Sequence, residues 1–229
     1  MAETHTQPIV VLLGAAGSGK GTQAQMLVER HGYVKVDAGD VVRKKAKEDS
    51  PLGREIKAIS ESGRNMPDAM IGDLIASYMQ SIPTHKPLVI DGFPRTVGQD
   101  DILHDMFERI GFAGRPMHPV WLKIDLDEAK RRLLQRSMCT SCKTIFATRD
   151  ITTCTVCGGH VEPRVDDQPE AIDRRIRFFQ EGPMKAIERY QLRGHLHVIN
   201  GDRTVEQVHA DLVHAIQDKP GQVLPFTLK

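Results

Sequence analysis

The sequence predicts an α/β protein in which helices cover both faces of a parallel sheet. The first observation is the continuous apolar run from Ile9 to Leu13, which is typical of a buried parallel strand. The second is that further short apolar runs alternate with helical patterns; they are Tyr33 to Val36, Leu88 to Ile90, Val120 to Ile124 and, more weakly, His197 to Ile199. Strands that alternate with helices favour a parallel sheet. A chain of 229 residues fits one domain with insertions better than two independent domains.

Two stretches interrupt this alternation, and we interpret both as insertions on the sheet. Residues 39 to about 66 are charged and helical in pattern, with a break at Ser50-Pro51. Residues 137 to 167 mix Thr, Ile and Val with turn formers, which predicts short strands. The tail after Lys219 has no helical pattern, so it is either a docked extension or disordered.

The overall charge excludes some partners. The net charge is +1, from 31 basic and 30 acidic residues, and gives no sign of a nucleic acid or membrane held by general electrostatics.

Residues 1 to 8 lack the features of a signal peptide, and no apolar run is long enough to cross a bilayer. We therefore expect a soluble cytoplasmic protein, in which cysteine pairs are metal ligands or redox pairs rather than disulfides.

A glycine-rich loop follows the first strand, in the sequence Gly14-Ala-Ala-Gly-Ser-Gly-Lys20-Gly-Thr22. Such a loop directs backbone N–H groups at a phosphate, the next helix adds its positive end, and the lysine reaches the β- and γ-phosphates. The pattern predicts a nucleoside triphosphate site, whereas the alternative is a tight turn without a ligand. The predicted ATP-binding residues of the loop are Gly17, Ser18, Gly19, Lys20, Gly21 and Thr22.

All four cysteines lie in two Cys-x-x-Cys pairs, Cys139 with Cys142 and Cys154 with Cys157. Four thiolates complete the tetrahedral coordination of Zn²⁺ and leave no position for water or substrate, so the predicted role of the metal is structural. A lone iron and an empty site are the alternatives. A redox function would require a thioredoxin-like unit around one pair, which this segment does not resemble.

Three motifs together resemble adenylate kinase over nearly the whole chain, and the zinc-lid form is the closest match. They are Gly-Lys-Gly-Thr in the loop, Asp91-Gly-Phe-Pro-Arg95-Thr at a strand end, and Arg164-Val-Asp-Asp-Gln-Pro-Glu followed by Arg174-Arg175. The resemblance implies a five-stranded parallel P-loop core (residues 1–37, 67–134 and 168–229), a monophosphate-binding insertion (38–66) and a lid over ATP (135–167). The implied reaction is Mg·ATP plus AMP giving two ADP, reversibly, in an enzyme that we expect to be a monomer.

The resemblance also assigns roles to individual residues. Arg43 and Arg95 would grip the AMP phosphate, and Asp91 with Thr22 would hold Mg²⁺ through water. Arginines suit phosphoryl transfer because their planar forks align and neutralise phosphate oxygens, whereas no general base is needed. The groups expected at the transferring phosphoryl group are Lys20, Arg95, Arg136, Arg164 and Arg175, of which Arg164 and Arg175 would also contact AMP. Further ATP contacts would come from Arg132, packed on the adenine, and Arg203, and further AMP contacts from Ala38, Arg64, Met66 and Gly92.

Two positions concern the choice of monophosphate. Gln99 falls where adenylate kinases read the AMP base with a side-chain amide, which both donates and accepts hydrogen bonds. Ala38 stands where the adenylate pattern usually has Thr, a feature shared with pyrimidine monophosphate kinases. We favour AMP, and a UMP/CMP or broad-specificity kinase is the alternative. A nucleotide-responsive module that binds nucleic acid through the cysteine segment is a further alternative, but this segment has Phe146 as its only aromatic residue and carries acidic residues beside its basic ones.

Overall fold

The computed structural model describes residues 7–61, 65–164, 167–218 and 222–223. Its strands are β1 (Ile9–Leu13), β2 (Val34–Asp37), β3 (Leu88–Asp91), β4 (Pro116–Lys123), β5 (Ser137–Cys139), β6 (Ile145–Phe146), β7 (Val161–Pro163), β8 (His197–Asn200) and β9 (Gln222–Val223). Its helices are α1 (Lys20–His31), α2 (Ala38–Lys45), α3 (Pro51–Glu61), α4 (Asp68–Met79), α5 (Val97–Arg109), α6 (Leu126–Gln135), α7 (Pro169–Glu181), α8 (Pro183–Leu192) and α9 (Val205–Asp218).

The main sheet has five parallel strands in the spatial order β2, β3, β1, β4, β8. This confirms the predicted α/β class and the five-stranded parallel core. Each predicted apolar run is a strand. A central strand is covered on both faces of the sheet, so consecutive residues are apolar and are buried on opposite faces. In β1, Val11 packs into a cluster with α4, α5 and α8, whereas Val10 packs into a second cluster with α1 and α9.

The carboxyl ends of three neighbouring strands lie at the same level. Leu12 of β1 pairs with Asp91 of β3, and Asp91 pairs with Asp37 of β2. The loops that follow these strands therefore meet at one edge of the sheet, which is where α/β proteins bind their ligands.

The first predicted insertion is helical, as expected, and its break falls at Ser50-Pro51. Proline has no N–H and suits the first turn of a helix, so Pro51 begins α3. The hydroxyl of Ser50 accepts a hydrogen bond from the N–H of Gly53 at 3.0 Å and thereby satisfies one of the unpaired donors of that turn.

The second insertion folds into a small antiparallel sheet in the order β6, β5, β7. Its buried side chains are Cys139, Cys154 and Val161, with Phe146 and Ile151 packed against them. This apolar cluster is small, and two of its buried members, Cys139 and Cys154, belong to the four cysteines, whereas Cys142 and Cys157 are exposed. So few apolar side chains give the segment little core of its own.

Part of the C-terminal tail docks on the sheet. Gln222 and Val223 pair antiparallel with Met117 and Pro116, at the beginning of β4. This short strand lies beyond the start of β8 on the same side of β4, because β1 occupies the other side. Within the ranges that the structure covers, no helix combines the length and the apolar character that a membrane span requires.

Candidate active site

The loop between β1 and α1 packs so closely on its neighbours that side chains are excluded. Gly17 has φ of 88°, a conformation that favours glycine, and a Cβ placed there would lie 2.6 Å from the carbonyl oxygen of Ala129 in α6. A Cβ on Gly14 would lie 2.7 Å from the carbonyl oxygen of Leu122. Ser18 is buried, and its hydroxyl has no hydrogen-bond partner among the described residues. The loop therefore keeps an unused polar group beside a tightly fixed backbone.

Lys20 begins α1 and bends back over this loop. Its ammonium donates hydrogen bonds to the carbonyl oxygens of Gly14 at 2.7 Å and Ala15 at 2.8 Å. Burial lowers the pKa of Lys20 to about 8; Asp91 opposes this shift, and the guanidinium groups of Arg95, Arg175 and Arg136 add to it. Three cations from three other parts of the chain thus act on Lys20 at the edge of the sheet.

Asp91, at the end of β3, is the carboxylate that faces Lys20. Burial raises its pKa, and the charge of Lys20 lowers it. A Cβ on Gly21 would lie 3.6 Å from Asp91 Oδ2, so the carboxylate reaches the first turn of α1, where Thr22 is partly buried. A carboxylate near a hydroxyl and a phosphate-binding loop is a donor set that suits Mg²⁺, which binds proteins through few oxygens and keeps its waters.

Asp167 organises the arginines of the lid and of α7. It is 1% exposed, and its carboxylate accepts two hydrogen bonds from Arg136 at 2.8 Å each and one from Arg175 at 2.9 Å. Burial and the charges of Arg136 and Arg164 lower the pKa of Arg175, whereas Asp167 raises it. The structure therefore brings the three predicted arginines together, and Asp167 is a contact residue of this cluster that sequence reasoning did not single out.

Arg43 and Arg95 lie on the other side of the site, around the ends of β2 and β3. Arg95 donates a hydrogen bond from Nε to the carbonyl oxygen of Gly92 at 2.7 Å. A Cβ placed on Gly92 would lie 3.0 Å from Nη2 of Arg95 and 3.7 Å from Cβ of Ala38. Arg43 Nη2 lies 3.9 Å from Asp37 Oδ1. Gly92 thus lies between Arg95 and the buried Ala38, and Arg43 lies near Asp37 at the end of the neighbouring strand β2.

Arg132 and Arg203 lie near the loop that follows β8. Arg132 donates hydrogen bonds to the carbonyl oxygen of Gly201 at 3.0 Å and to Glu128 at 2.7 Å. Gly201 in turn lies close to the glycine-rich loop, since a Cβ placed on it would lie 3.5 Å from the carbonyl oxygen of Ser18. This places Arg132 beside the glycine-rich loop. Arg203 pairs with Asp211 at 2.5 Å, so its guanidinium is held on α9.

Gln99 is 5% exposed, so its amide is buried in the first turn of α5. Its Oε1 accepts from the N–H of Arg95 at 2.7 Å, and its Nε2 donates to Asp68 at 2.8 Å. Met66 packs against the large core cluster nearby. Arg64, the remaining predicted AMP contact, lies outside the described residues.

The four cysteines converge, although their two pairs are separated in sequence. Their sulfur atoms all lie within 4.8 Å of one another, with Cys139 3.5 Å from Cys157 and Cys142 3.6 Å from Cys154. Four thiolates around one Zn²⁺, each with a bond of about 2.3 Å, are about 3.8 Å apart. The N–H groups of Cys142 and Val156 point at sulfur atoms of Cys139 and Cys154, at 3.5 and 3.4 Å. The arrangement therefore fits a tetrahedral metal ion.

The protonation of these thiols also favours a metal. Hydrogen bonds from Thr144 lower the pKa of Cys142 to about 6. The N–H of Gly159 lowers the pKa of Cys157, but the sulfur atoms of Cys142 and Cys139 outweigh it and raise that pKa to about 12. Four neighbouring thiols do not ionise together unless a cation balances their charge.

Comparisons with known proteins agree with this geometry. The family model described as adenylate kinase matches residues 12–195. The chain is 33% identical to the adenylate kinase of Geobacter sp. (strain M21) over 213 residues, which are 91% of this chain and 99% of that relative. It is 36% identical to the adenylate kinase of Gemmatimonas aurantiaca over 214 residues, with the same coverage, and 29% identical to that of Bacillus subtilis over 209 residues, 89% of this chain and 95% of the relative.

The fold, the cations at the edge of the sheet and these relatives define the class of protein: the chain is a phosphotransferase with an α/β fold. More narrowly, it belongs to the adenylate kinase family, and its cysteine cluster fits the form with a zinc lid.

Proposed function

We propose that the protein transfers the terminal phosphoryl group of Mg-ATP to AMP and forms two ADP, reversibly. The observation that carries this proposal is that the charges of Arg95, Arg136 and Arg175 act on Lys20 at the carboxyl edge of the parallel sheet. Concentrated positive charge in a partly buried site is costly unless anions occupy it. The triphosphate of ATP and the phosphate of AMP, brought end to end, supply those anions.

The reaction needs alignment and charge neutralisation rather than a general base. The attacking oxygen of AMP is already anionic, and charge on the transferring phosphoryl group is spread over its three outer oxygens. Lys20 exchanges its two loop carbonyls for phosphate oxygens, which raises its pKa again from about 8 and keeps it charged. Arg136, Arg164 and Arg175 close on the same group from the lid side.

Asp91 and Thr22 hold Mg²⁺ through water in this proposal. When held there, the ion would supply neutralisation of the phosphate charge. Burial raises the pKa of Asp91, and the charge of Lys20 offsets part of this rise, which favours the anionic form that would order the waters around the ion.

AMP would lie between the ends of β2 and β3. Arg43 and Arg95 hold its phosphate over the bare backbone at Gly92, and Ala38, Met66 and Gln99, with Arg64, surround the nucleoside. ATP would lie across residues 17–22 of the P-loop, with Arg132 against the adenine and Arg203 at the outer edge. The contacts given above support the placement of the described residues, whereas that of Arg64 stays a prediction from the sequence.

The segments assigned from the sequence complete this proposal. Residues 38–66 would close over AMP, and residues 135–167 would close over ATP, around a core of residues 1–37, 67–134 and 168–229. Zinc bound by the four cysteines would hold the lid together without taking part in the chemistry. A monomeric, cytoplasmic enzyme that binds no nucleic acid stays a prediction from the sequence.

A coupled assay tests the proposed reaction directly. The protein should form ADP from ATP plus AMP in the presence of Mg²⁺, and an equal amount of ADP should not appear with either nucleotide alone. Failure to form ADP with a folded, metal-loaded protein would refute the proposal.

A pyrimidine or broad-specificity kinase is the second candidate, and Ala38 is the observation that favours it. Ala38 is 1% exposed and offers no hydroxyl toward Gly92. The amide of Gln99 favours AMP instead, because a buried hydrogen-bonding group left unpaired weakens the binding of the wrong base. Equal or faster turnover of CMP or UMP in the same assay would decide for the second candidate.

A further inference from the structure

Asp68, the first residue of α4, makes contacts with α5 that none of the motifs indicated. Its Oδ1 accepts a hydrogen bond from Gln99 Nε2 at 2.8 Å, and its Oδ2 accepts one from the hydroxyl of Thr96 at 2.9 Å. Asp68 also lies directly after the insertion assigned to AMP. One carboxylate thus joins the end of that insertion to the residue expected to read the AMP base.

These contacts fix the orientation of the Gln99 amide. An ionised carboxylate only accepts hydrogen bonds, so Nε2 must face Asp68, whereas the N–H of Arg95 only donates, so Oε1 must face Arg95. A flipped amide would put two donors together and two acceptors together. Nε2 keeps a second hydrogen and Oε1 a second lone pair, so the amide still offers one donor and one acceptor in a fixed order.

The same carboxylate is fitted into the beginning of α5. A Cβ on Gly98 would lie 2.7 Å from Asp68 Oδ2, so only glycine leaves room for the carboxylate there. Thr96 caps α5 by accepting from the N–H of Gln99 at 3.0 Å, and it gives its own hydroxyl proton to Asp68. Asp68 therefore controls the cap of the helix as well as the amide.

We propose that Asp68 is a positioning residue which, through Gln99, sets the preference for adenine over purines that carry an oxygen at C6. Adenine presents an amino donor beside the N1 acceptor, whereas hypoxanthine presents an oxygen acceptor beside an N1–H donor. An amide of fixed orientation matches one of these orders and opposes the other, since the wrong base leaves buried groups unpaired. This inference rests on the proposed function, because it takes AMP as the acceptor.

Steady-state kinetics on Asp68→Ala, with AMP and IMP as acceptors, test the inference. The KM for AMP should rise, and the preference for AMP over IMP should fall, each on the order of tenfold, the size expected for a hydrogen bond to a charged group. The kcat with saturating AMP and the KM for ATP should stay within about twofold. Asp68→Asn keeps one acceptor at the same place and should lie between wild type and Asp68→Ala.

A double-mutant cycle separates positioning from a merely structural effect. If Asp68 acts through Gln99, Asp68→Ala should change the preference for AMP over IMP by less than about twofold in a Gln99→Ala background. Asp73→Ala, an exposed carboxylate on the same helix, is the matched control and should leave both KM values unchanged.

Some outcomes would overturn this inference and leave the proposed function intact. They include wild-type selectivity in Asp68→Ala, and an equal loss of the preference for AMP over IMP with and without Gln99. Parallel losses in kcat, in the KM for ATP and in melting temperature would also overturn it, because they indicate a structural role. A folded wild-type protein inactive with AMP would instead refute the proposed function, on which the inference rests.

Discussion

Asp167 is a buried residue that stabilises several neighbouring arginine side chains. Its carboxylate is bound by Arg136 and Arg175 at 2.8 to 2.9 Å, and it offsets part of the repulsion among the arginines. Without it, three guanidinium groups would approach one another with no anion until substrates arrive. The free protein therefore keeps the arginines assembled at a lower electrostatic cost.

Replacing Arg175 by Ala tests whether these arginines act on the transferring group. We expect kcat to fall by a factor on the order of 10² to 10⁴, because the lost charge stabilises the transition state in a closed site. Arg174→Ala, at the exposed neighbouring position, is the control and should stay within about threefold of wild type. A normal kcat with a raised KM for ATP would make Arg175 a ground-state anchor.

At the scale of elements, α5 and α8 are joined through Asp100, which is 0% exposed. Tyr190 donates its hydroxyl to Asp100, Arg193 approaches it at 3.1 Å, and Arg189 lies 3.5 Å away. The next residue, Asp101, pairs with Arg189 at the surface. The beginning of α5, with Gln99, is thus held from α8 by Asp100 and from α4 by Asp68.

Asp100→Asn should lower the free energy of unfolding by about 3 kcal/mol, because it leaves charged groups without their buried partner. Asp101→Asn removes a charge from the adjacent, half-exposed position and should cost less than about 1 kcal/mol. Urea unfolding at pH 7 measures both. Similar values for the two variants would contradict a special role for the buried carboxylate.

The small sheet of β5, β6 and β7 depends on its metal in our interpretation. Elemental analysis should find one zinc per chain, and a strong chelator should lower the melting temperature, since the binding free energy of a structural metal is also folding free energy. Adding zinc back should restore the melting temperature. A protein that is purified without metal and has four freely titrating thiols would refute this interpretation.

At the scale of the whole molecule, stability should depend on pH through buried histidines away from the site. His118 on β4 is 3% exposed and its ring stacks on His197 of β8, with ring centroids 5.5 Å apart. Burial, together with the charge of His197, lowers the pKa of His118 from 6.5 to about 4. The folded protein therefore binds a proton at His118 less readily than the unfolded chain.

The sign of the effect follows from this difference. The stability that neutral His118 contributes to the folded protein is fully present above pH 6.5. It is lost as the pH falls toward 4, which lowers the free energy of unfolding by up to about 3 kcal/mol. Urea unfolding from pH 7 to pH 4 should show a smaller loss for His118→Gln than for wild type, whereas His85→Gln, at an exposed position, should follow wild type. Identical pH profiles for all three proteins would contradict the assignment.

The sequence by itself determined the parallel sheet and the glycine-rich loop, because these depend on local patterns, whereas the choice of arginines came from the resemblance to a known family and stays a prediction. A buried strand needs an apolar run, and a loop that packs as closely as Gly17 does needs glycine. The cysteine cluster was also predictable, since a metal requires a known number of thiolates at short spacing.

Only the tertiary structure decided which carboxylates hold these groups in place. Asp167 meets Arg136, and Asp68 meets Gln99, across 31 residues of sequence in each case. Neither pairing has a periodicity or a motif, because a side-chain contact between separate elements depends on how the chain folds back. The sequence therefore predicted the candidate reacting groups, and packing determined which carboxylates contact them.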